Sequence, residues 1–329
     1  MKRTLRIVMC AMLVGMMLLS ACGNSSVGSS GGTKIYLTMY NEAKPGSFRG
    51  TLVEAAQAKA KAEGASIEVG FAEDSIEKQV EQVKSAVQQD YDVIICGPVS
   101  ADTAVELEAI AGDIPIIFIC NCPADKRLTA NKYIYVGSDE NVAGQFQAEY
   151  VLEKLGSKSE LNVMIIKGPR GQSATDGRTK GAKRVFDKSG KQINYVFEDY
   201  ADWDKGKAKD MFEIFLSTGN ALDCILCNND TMAMGIVEYC KENGVNLNNV
   251  PIMGVNAAGD ACEAIKNGDM ALTVYQSGVG QGEAAVEAAL KLANGDNVKD
   301  IEGATEDGKY IWVPFERVDS SNVDQYIIE

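Results

Sequence analysis

Histidine is absent from all 329 residues. The commonest general base and imidazole metal ligand is therefore missing, which argues against His-dependent hydrolysis and His-ligated zinc. Carboxylate chemistry survives that absence, but no nucleophile and base assemble into a pair, so catalysis is not expected. Positive charge is scarce as well: 32 Lys and Arg face 46 Asp and Glu, for a net charge of −14. Such a surface repels phosphate backbones and makes nucleic acid an improbable partner. The cysteines lack a disulfide-scaffold spacing. Setting aside Cys10 and Cys22 leaves Cys96, Cys120, Cys122, Cys224, Cys227, Cys240 and Cys262, an odd number that cannot all pair internally. Cys120 with Cys122 and Cys224 with Cys227 could be joined as a thiolate metal site. Residues three apart in a strand point to opposite faces, however, so small core residues are expected and no metal.

What is present begins with an address. Lys2, Arg3 and Arg6 precede an apolar run of thirteen residues, Ile7 to Leu19, followed by Leu19-Ser20-Ala21-Cys22. The run is too short to span a bilayer and reads as a removable export segment, residues 1–21, of the lipoprotein type. Cys22 would then be a lipidated N-terminus, acylated with palmitate-type chains, that holds the protein on the outer side of the cell membrane. Loss of the three basic residues takes the charge from −14 (32 minus 46) to −17 (29 minus 46). Residues 23–32 contain only Gly, Ser, Asn and Val, a composition that cannot bury enough surface to fold and serves as a tether. About 300 residues remain, which favours two domains over one.

From Thr33 onward, β-branched runs alternate with amphipathic helical stretches. Strands are predicted at 34–40, 66–71, 92–96, 114–119, 133–136, 162–167, 192–198, 223–227, 251–255 and 270–275, with helices such as 48–64 and 76–89 between them. Continuous apolar strands in βαβ order imply α/β architecture with doubly wound parallel sheets. Ligands of such sheets sit at the carboxyl ends of the strands. Those junctions are rich in Asn, Gln and Gly with one Arg and one Trp, chemistry suited to sugar hydroxyls and to the C–H face of a sugar ring.

Several of these segments together, Asn228 to Gly235 above all, with Ala201-Asp202-Trp203-Asp204, Tyr135 to Asp139, Gly254-Val255-Asn256 and Val313-Pro314-Phe315, resemble the type I periplasmic sugar-binding family of ABC-transporter lipoproteins. The likeness is strongest to its galactose/glucose-binding branch. It implies two similar lobes, 33–137 with 277–313 and 138–276 with 314–329, joined by three crossovers and closing on one small sugar. The resemblance places Trp203 and Phe48 on the two sugar faces, with Tyr40 and Asn41 as alternatives to Phe48. Arg178 would fork onto ring oxygen and a hydroxyl, and Asn229 and Gln276 would bond the sugar. Departures from the family fall at Asn256 for an aspartate, Cys120 with neighbouring Asn121 for an asparagine, and Gln172 and Ala174 for a His and an Asp, which makes unchanged galactose or glucose preference doubtful. No alternating acidic run occupies 153–161, so the branch's calcium loop has no counterpart. No cofactor is implied. The partners implied are ABC permease subunits, with a monomeric binder delivering the sugar. The alternative is a sensory module presenting a furanose-like signal or nucleoside to a chemoreceptor or kinase.

Overall fold

The computed structural model describes residues 32–247 and 249–327. The export segment, Cys22 and nearly all of the tether lie outside the described residues. Among the described residues, twelve strands and nine α-helices follow one another with few interruptions. The first run is β1 (Lys34–Met39), α1 (Phe48–Ala62), β2 (Ser66–Phe71), α2 (Ile76–Gln88), β3 (Val93–Gly97), α3 (Ala104–Ala111), β4 (Ile116–Phe118) and β5 (Tyr133–Gly137). The second is α4 (Glu140–Lys154), β6 (Glu160–Lys167), α5 (Ser173–Asp187), β7 (Gln192–Tyr200), α6 (Lys205–Ser217), β8 (Cys224–Cys227), α7 (Asp230–Asn243), β9 (Ile252–Met253), α8 (Gly259–Lys266) and β10 (Leu272–Gln276). Then come α9 (Gly278–Ala293), β11 (Tyr310–Trp312) and β12 (Phe315–Asp319).

The strands form two six-stranded sheets with orders β11-β5-β4-β3-β1-β2 and β12-β10-β9-β8-β6-β7. Renumbered from their own first strand, both read 2-1-3-4-5 plus one edge strand. All pairs are parallel except β10 with β12. The α/β reading from sequence holds in full, as two lobes with parallel sheets. The sequence places the strands well but trims poorly. Expected strand 114–119 shrinks to β4 because Pro115 has no N–H for the ladder and Cys120 turns to φ 61°. Expected strand 251–255 shrinks to β9, where Gly254 instead makes room for the Asp230 side chain.

Both sheets are covered on both faces, and the period-2 rule shows which residue faces which layer. In β1 the side chains of Ile35, Leu37 and Met39 join one core and Tyr36 the other. In β8, Ile225 and Cys227 enter one core while Cys224 and Leu226 enter the opposite one. Cys224 and Cys227 therefore cannot meet at one ion. All seven described cysteines are free thiols. Among the described residues no group of three His, Cys, Asp or Glu is placed to hold a metal, and no helix is long and apolar enough to cross a membrane.

Most helices carry their own N-cap. Ser47 Oγ accepts from Gly50 N at 3.1 Å, Asn229 Oδ1 from Met232 N at 3.0 Å and Ser277 Oγ from Gly280 N at 2.9 Å. Glycines set how closely some helices pack. A Cβ at Gly144, Gly177 or Gly181 would strike the facing helix in the α4/α5 pair, and Gly278 and Gly282 do the same for α9 against α1. The first pair brings Glu140 beside Arg178; the second seats the start of α1 over the crossover at Ser277.

Candidate functional site

The carboxyl ends of the two sheets face each other across a cavity of about 310 Å³. Its first wall comes from the segment after β1 and the start of α1, with Tyr40, Lys44, Ser47, Phe48 and Arg49, and from Cys120 after β4. The opposing wall comes from the crossover into α4 (Glu140), the β6–α5 junction (Gln172, Ala174, Arg178), the β7–α6 junction (Trp203), the start of α7 (Asn229, Thr231), Asn256 after β9 and Gln276 at the end of β10. The junctions singled out from sequence thus converge, with one exception. The β3–α3 loop is held away by buried Gln79, whose Nε2 donates to Gly97 O at 3.0 Å and whose Oε1 accepts from Val99 N at 2.9 Å.

Arg178 organises the second wall. Its Nε donates to Glu140 Oε2 at 2.7 Å, Nη1 to Asn228 O at 2.6 Å and Nη2 to Gln276 Oε1 at 3.1 Å. Gln276 Nε2 closes the ring by donating to Glu140 Oε1 at 3.4 Å. Arg178 and Glu140 are 4% and 7% exposed at their side chains, so each needs the other to avoid an unpaired buried charge. Three of the five guanidinium N–H groups are spent on the protein, leaving two for a ligand. The Trp203 ring lies over Gly168, where only a hydrogen leaves room for it, and 5.8 Å from the Arg178 guanidinium carbon.

Strained backbone occurs on both walls, at Cys120 on the first and at Trp203 and Asn256 on the second. Cys120, Trp203 and Asn256 adopt φ of 61°, 62° and 128°, conformations that cost of the order of 1–3 kcal/mol for residues with a side chain. All three line the cavity. Asn256 lines the cavity, and its Oδ1 is buried without a hydrogen-bond partner, an acceptor still lacking a donor. Asn229 spends its Oδ1 on the α7 cap and leaves its amide N–H groups available. Behind them Asp230 is fully buried, accepting from Thr273 Oγ1 at 2.7 Å and Ala258 N at 2.8 Å. Burial pushes its carboxyl up to about 7, with both hydrogen bonds opposing that rise.

Seven of the nine ligand-binding positions expected from sequence reach the cavity wall: Phe48, Gln172, Arg178, Trp203, Asn229, Asn256 and Gln276. Asn41 does not. Its side chain turns back to Asp74 and to Glu42 N, and Tyr40 takes the wall. Asn121 is also displaced: it is fully buried, donating to Pro98 O at 3.3 Å while its Oδ1 accepts from Ser173 N at 2.9 Å. Cys122 N adds a bond to Ser173 Oγ at 2.8 Å. These bonds join the β4 end of one lobe to the first residue of α5 in the other. Gln172 offers α5 no side-chain cap, so the partner lobe supplies it.

Sequence reasoning missed Glu140, Arg49 and Lys44. Glu140 reads in sequence only as an acid in a helix first turn, and its meeting with Arg178 depends on the α4/α5 packing. Arg49 did carry a signal, a cation at a helix start where the dipole disfavours one. Burial raises the Cys120 thiol to about 12 and the Tyr40 hydroxyl likewise to about 12, each opposed by Arg49. Neither is a nucleophile or base near neutral pH.

Two facing α/β lobes, with an amide-rich and aromatic cavity between strand ends, define a binder of a small polar ligand. The sequence profile described as periplasmic binding protein domain matches residues 35–297, and the chain belongs to that family of type I sugar-binding, ABC-transporter solute-binding proteins. It is a binding protein, not an enzyme. A Rhizobium meliloti protein named for rhizopine binding is 29% identical over 267 residues, 80% of this chain and 83% of that one. The D-galactose/methyl-galactoside binding periplasmic protein of Haemophilus influenzae is 28% identical over 241 residues, 70% of this chain and 72% of the other. An ABC transporter solute binding protein of Bacillus halodurans, solved with bound myo-inositol, superposes with a TM-score of 0.78 at 28% identity, covering 91% of this chain and 99% of that structure.

Proposed function

We propose that this protein captures one small sugar or cyclic polyol in the interlobe cavity outside the cell membrane and delivers it to an ABC importer. The observation that carries the reading is the Asn256 acceptor, buried without a partner at a strained position beside Trp203 and the Arg178 network. A hydroxyl-rich ring supplies the missing donor, stacks on Trp203 and uses the spare N–H groups of Arg178. Phe48 closes the opposite face. The named ligands of the relatives are a sugar, a polyol and rhizopine, which supports the class without fixing the member.

Residues 33–137 with 277–313 act as one lobe and 138–276 with 314–329 as the other, hinged at the three crossovers. A ligand touching both walls favours the closed arrangement by its differential affinity. Cys22 carries the lipid anchor, and the tether holds the monomeric binder near its permease, raising local ligand supply. Cys22→Ser is expected to release the protein from membranes without changing affinity.

The test is a thermal-shift panel of pentoses, hexoses and cyclic polyols. Ligand at about 1,000 times its dissociation constant stabilises by roughly 4 kcal/mol. No shift with any of them contradicts the reading. A pull-down that recovers a kinase and no permease subunits replaces import with sensing.

A further inference from the structure

Cations outnumber anions on the cavity wall: Lys44, Arg49 and Arg178 stand against Glu140 alone. Arg178 and Glu140 neutralise each other at 2.7 Å, so Lys44 and Arg49 are left over, both on the first wall. Among the described residues neither has a carboxylate within ion-pair distance. Arg49 packs its guanidinium 4.6 Å over the Tyr40 ring. The acid that acts on Tyr40, Asp74, is engaged by Asn41. Arg49 sits in the first turn of α1, which contains no acidic residue, so the helix dipole adds to the positive field instead of offsetting it. A chain with a net charge of −14 thus turns its local balance over on the wall of its ligand cavity.

The second wall has the opposite preference. Asn256 Oδ1 is a buried acceptor without a partner, and an ionised acid has no proton to give it. A hydroxyl does. Building on the sugar or polyol reading, we propose that the ligand is a hydroxyl-rich ring bearing one acidic group, carboxylate or phosphate. Its hydroxyl face lies on Trp203, Asn229 and Asn256, and its acidic group lies against Arg49 and Lys44. A planar guanidinium fork matches either oxyanion. The cavity of about 310 Å³ is at the small end for ligand sites and suits a single ring with one such substituent.

The experiment is calorimetric titration of the full chain with matched pairs. Glucuronate and galacturonate are set against glucose and galactose, and inositol monophosphate and glucose 6-phosphate against myo-inositol and glucose. At least one acidic member is expected to bind about tenfold or more tighter than its neutral counterpart, with an advantage that shrinks as salt rises. The uronate and phosphate arms identify which acid is taken. Arg49→Gln is expected to bring the acid-to-neutral ratio to about one, and Arg49→Lys, which keeps the charge but not the fork, to restore part of it. An unliganded unfolding midpoint near that of the parent shows that each variant is folded. Neutral members binding as well as or better than every acidic partner overturns this inference and leaves the sugar or polyol reading standing. Binding of neither class overturns both. A ratio that persists in Arg49→Gln also contradicts the assignment.

Discussion

The two walls of the cavity are built on different principles. The second-lobe wall is preset: Arg178, Glu140, Asn228 and Gln276 hold one another in a buried ring of hydrogen bonds, and Trp203 is fixed over Gly168 by strained backbone. The first-lobe wall is looser. Lys44 is exposed, Phe48 and Arg49 are half-buried, and Arg49 has an aromatic ring in place of a carboxylate partner. One wall has its charges paired before any ligand arrives and keeps only neutral acceptors and spare N–H donors open, while the other holds charge in reserve. The difference teaches a division of labour, in which the rigid wall orients the ring and the adaptable wall reads what the ring carries.

Breaking the preset wall has the largest expected effect. Arg178→Ala leaves Glu140 buried and unpaired, at a cost of about 3–5 kcal/mol in unfolding free energy, and lowers affinity by roughly a hundredfold or more. Adding Glu140→Gln is expected to recover much of the stability and little of the affinity, as measured by urea unfolding beside calorimetry. Equal recovery of both would make the ring a structural element only. Next in size, Trp203→Ala removes the stacking surface at about 1–3 kcal/mol, about tenfold to a hundredfold in dissociation constant. Phe48→Ala, on the looser wall, is expected to cost less, and the reverse order would invert the comparison.

Asp230 sharpens it through pH. Its folded carboxyl titrates at about 7, above the unfolded value of about 3.9, so the folded state holds the proton longer. That contribution is fully present below about pH 4 and is lost as pH rises through about 7, by at most about 1.4 kcal/mol per pH unit. Urea unfolding of Asp230→Asn is expected to show a flatter pH profile over that window. An unchanged slope would mean another group sets it. The smallest effect is expected from Asn121→Ala, which removes the cross-lobe cap on α5 at about 1 kcal/mol. It lowers apparent affinity several-fold by depopulating the closed arrangement, although Asn121 does not line the cavity. A titration with unchanged affinity would deny Asn121 that latch role.

Much of this was legible in the sequence because it depends on local pattern. Apolar strand runs at fixed intervals announce doubly wound sheets, and sheets of that kind put ligands at strand ends; the family resemblance then singled out Gln172, Trp203, Asn229 and Asn256 at those ends, and all four reach the cavity wall. What escaped depends on distant packing. Nothing local says that Glu140 faces Arg178, 38 positions away, or that Asn121 reaches Ser173 and not the cavity. Strands β11 and β12 were not among the predicted strands, because three residues of one and the exposed Glu316 in the other give little periodicity to read.

The central claim, capture of a hydroxyl-rich ring against the preset wall, is most directly tested by the emission of Trp203. The chain has two tryptophans, so Trp312→Phe isolates that signal. Titration with matched neutral and acidic sugars and polyols is expected to give a saturable change in emission that is weakened by Arg178→Ala. Saturable binding by calorimetry with no change in Trp203 emission would contradict the account.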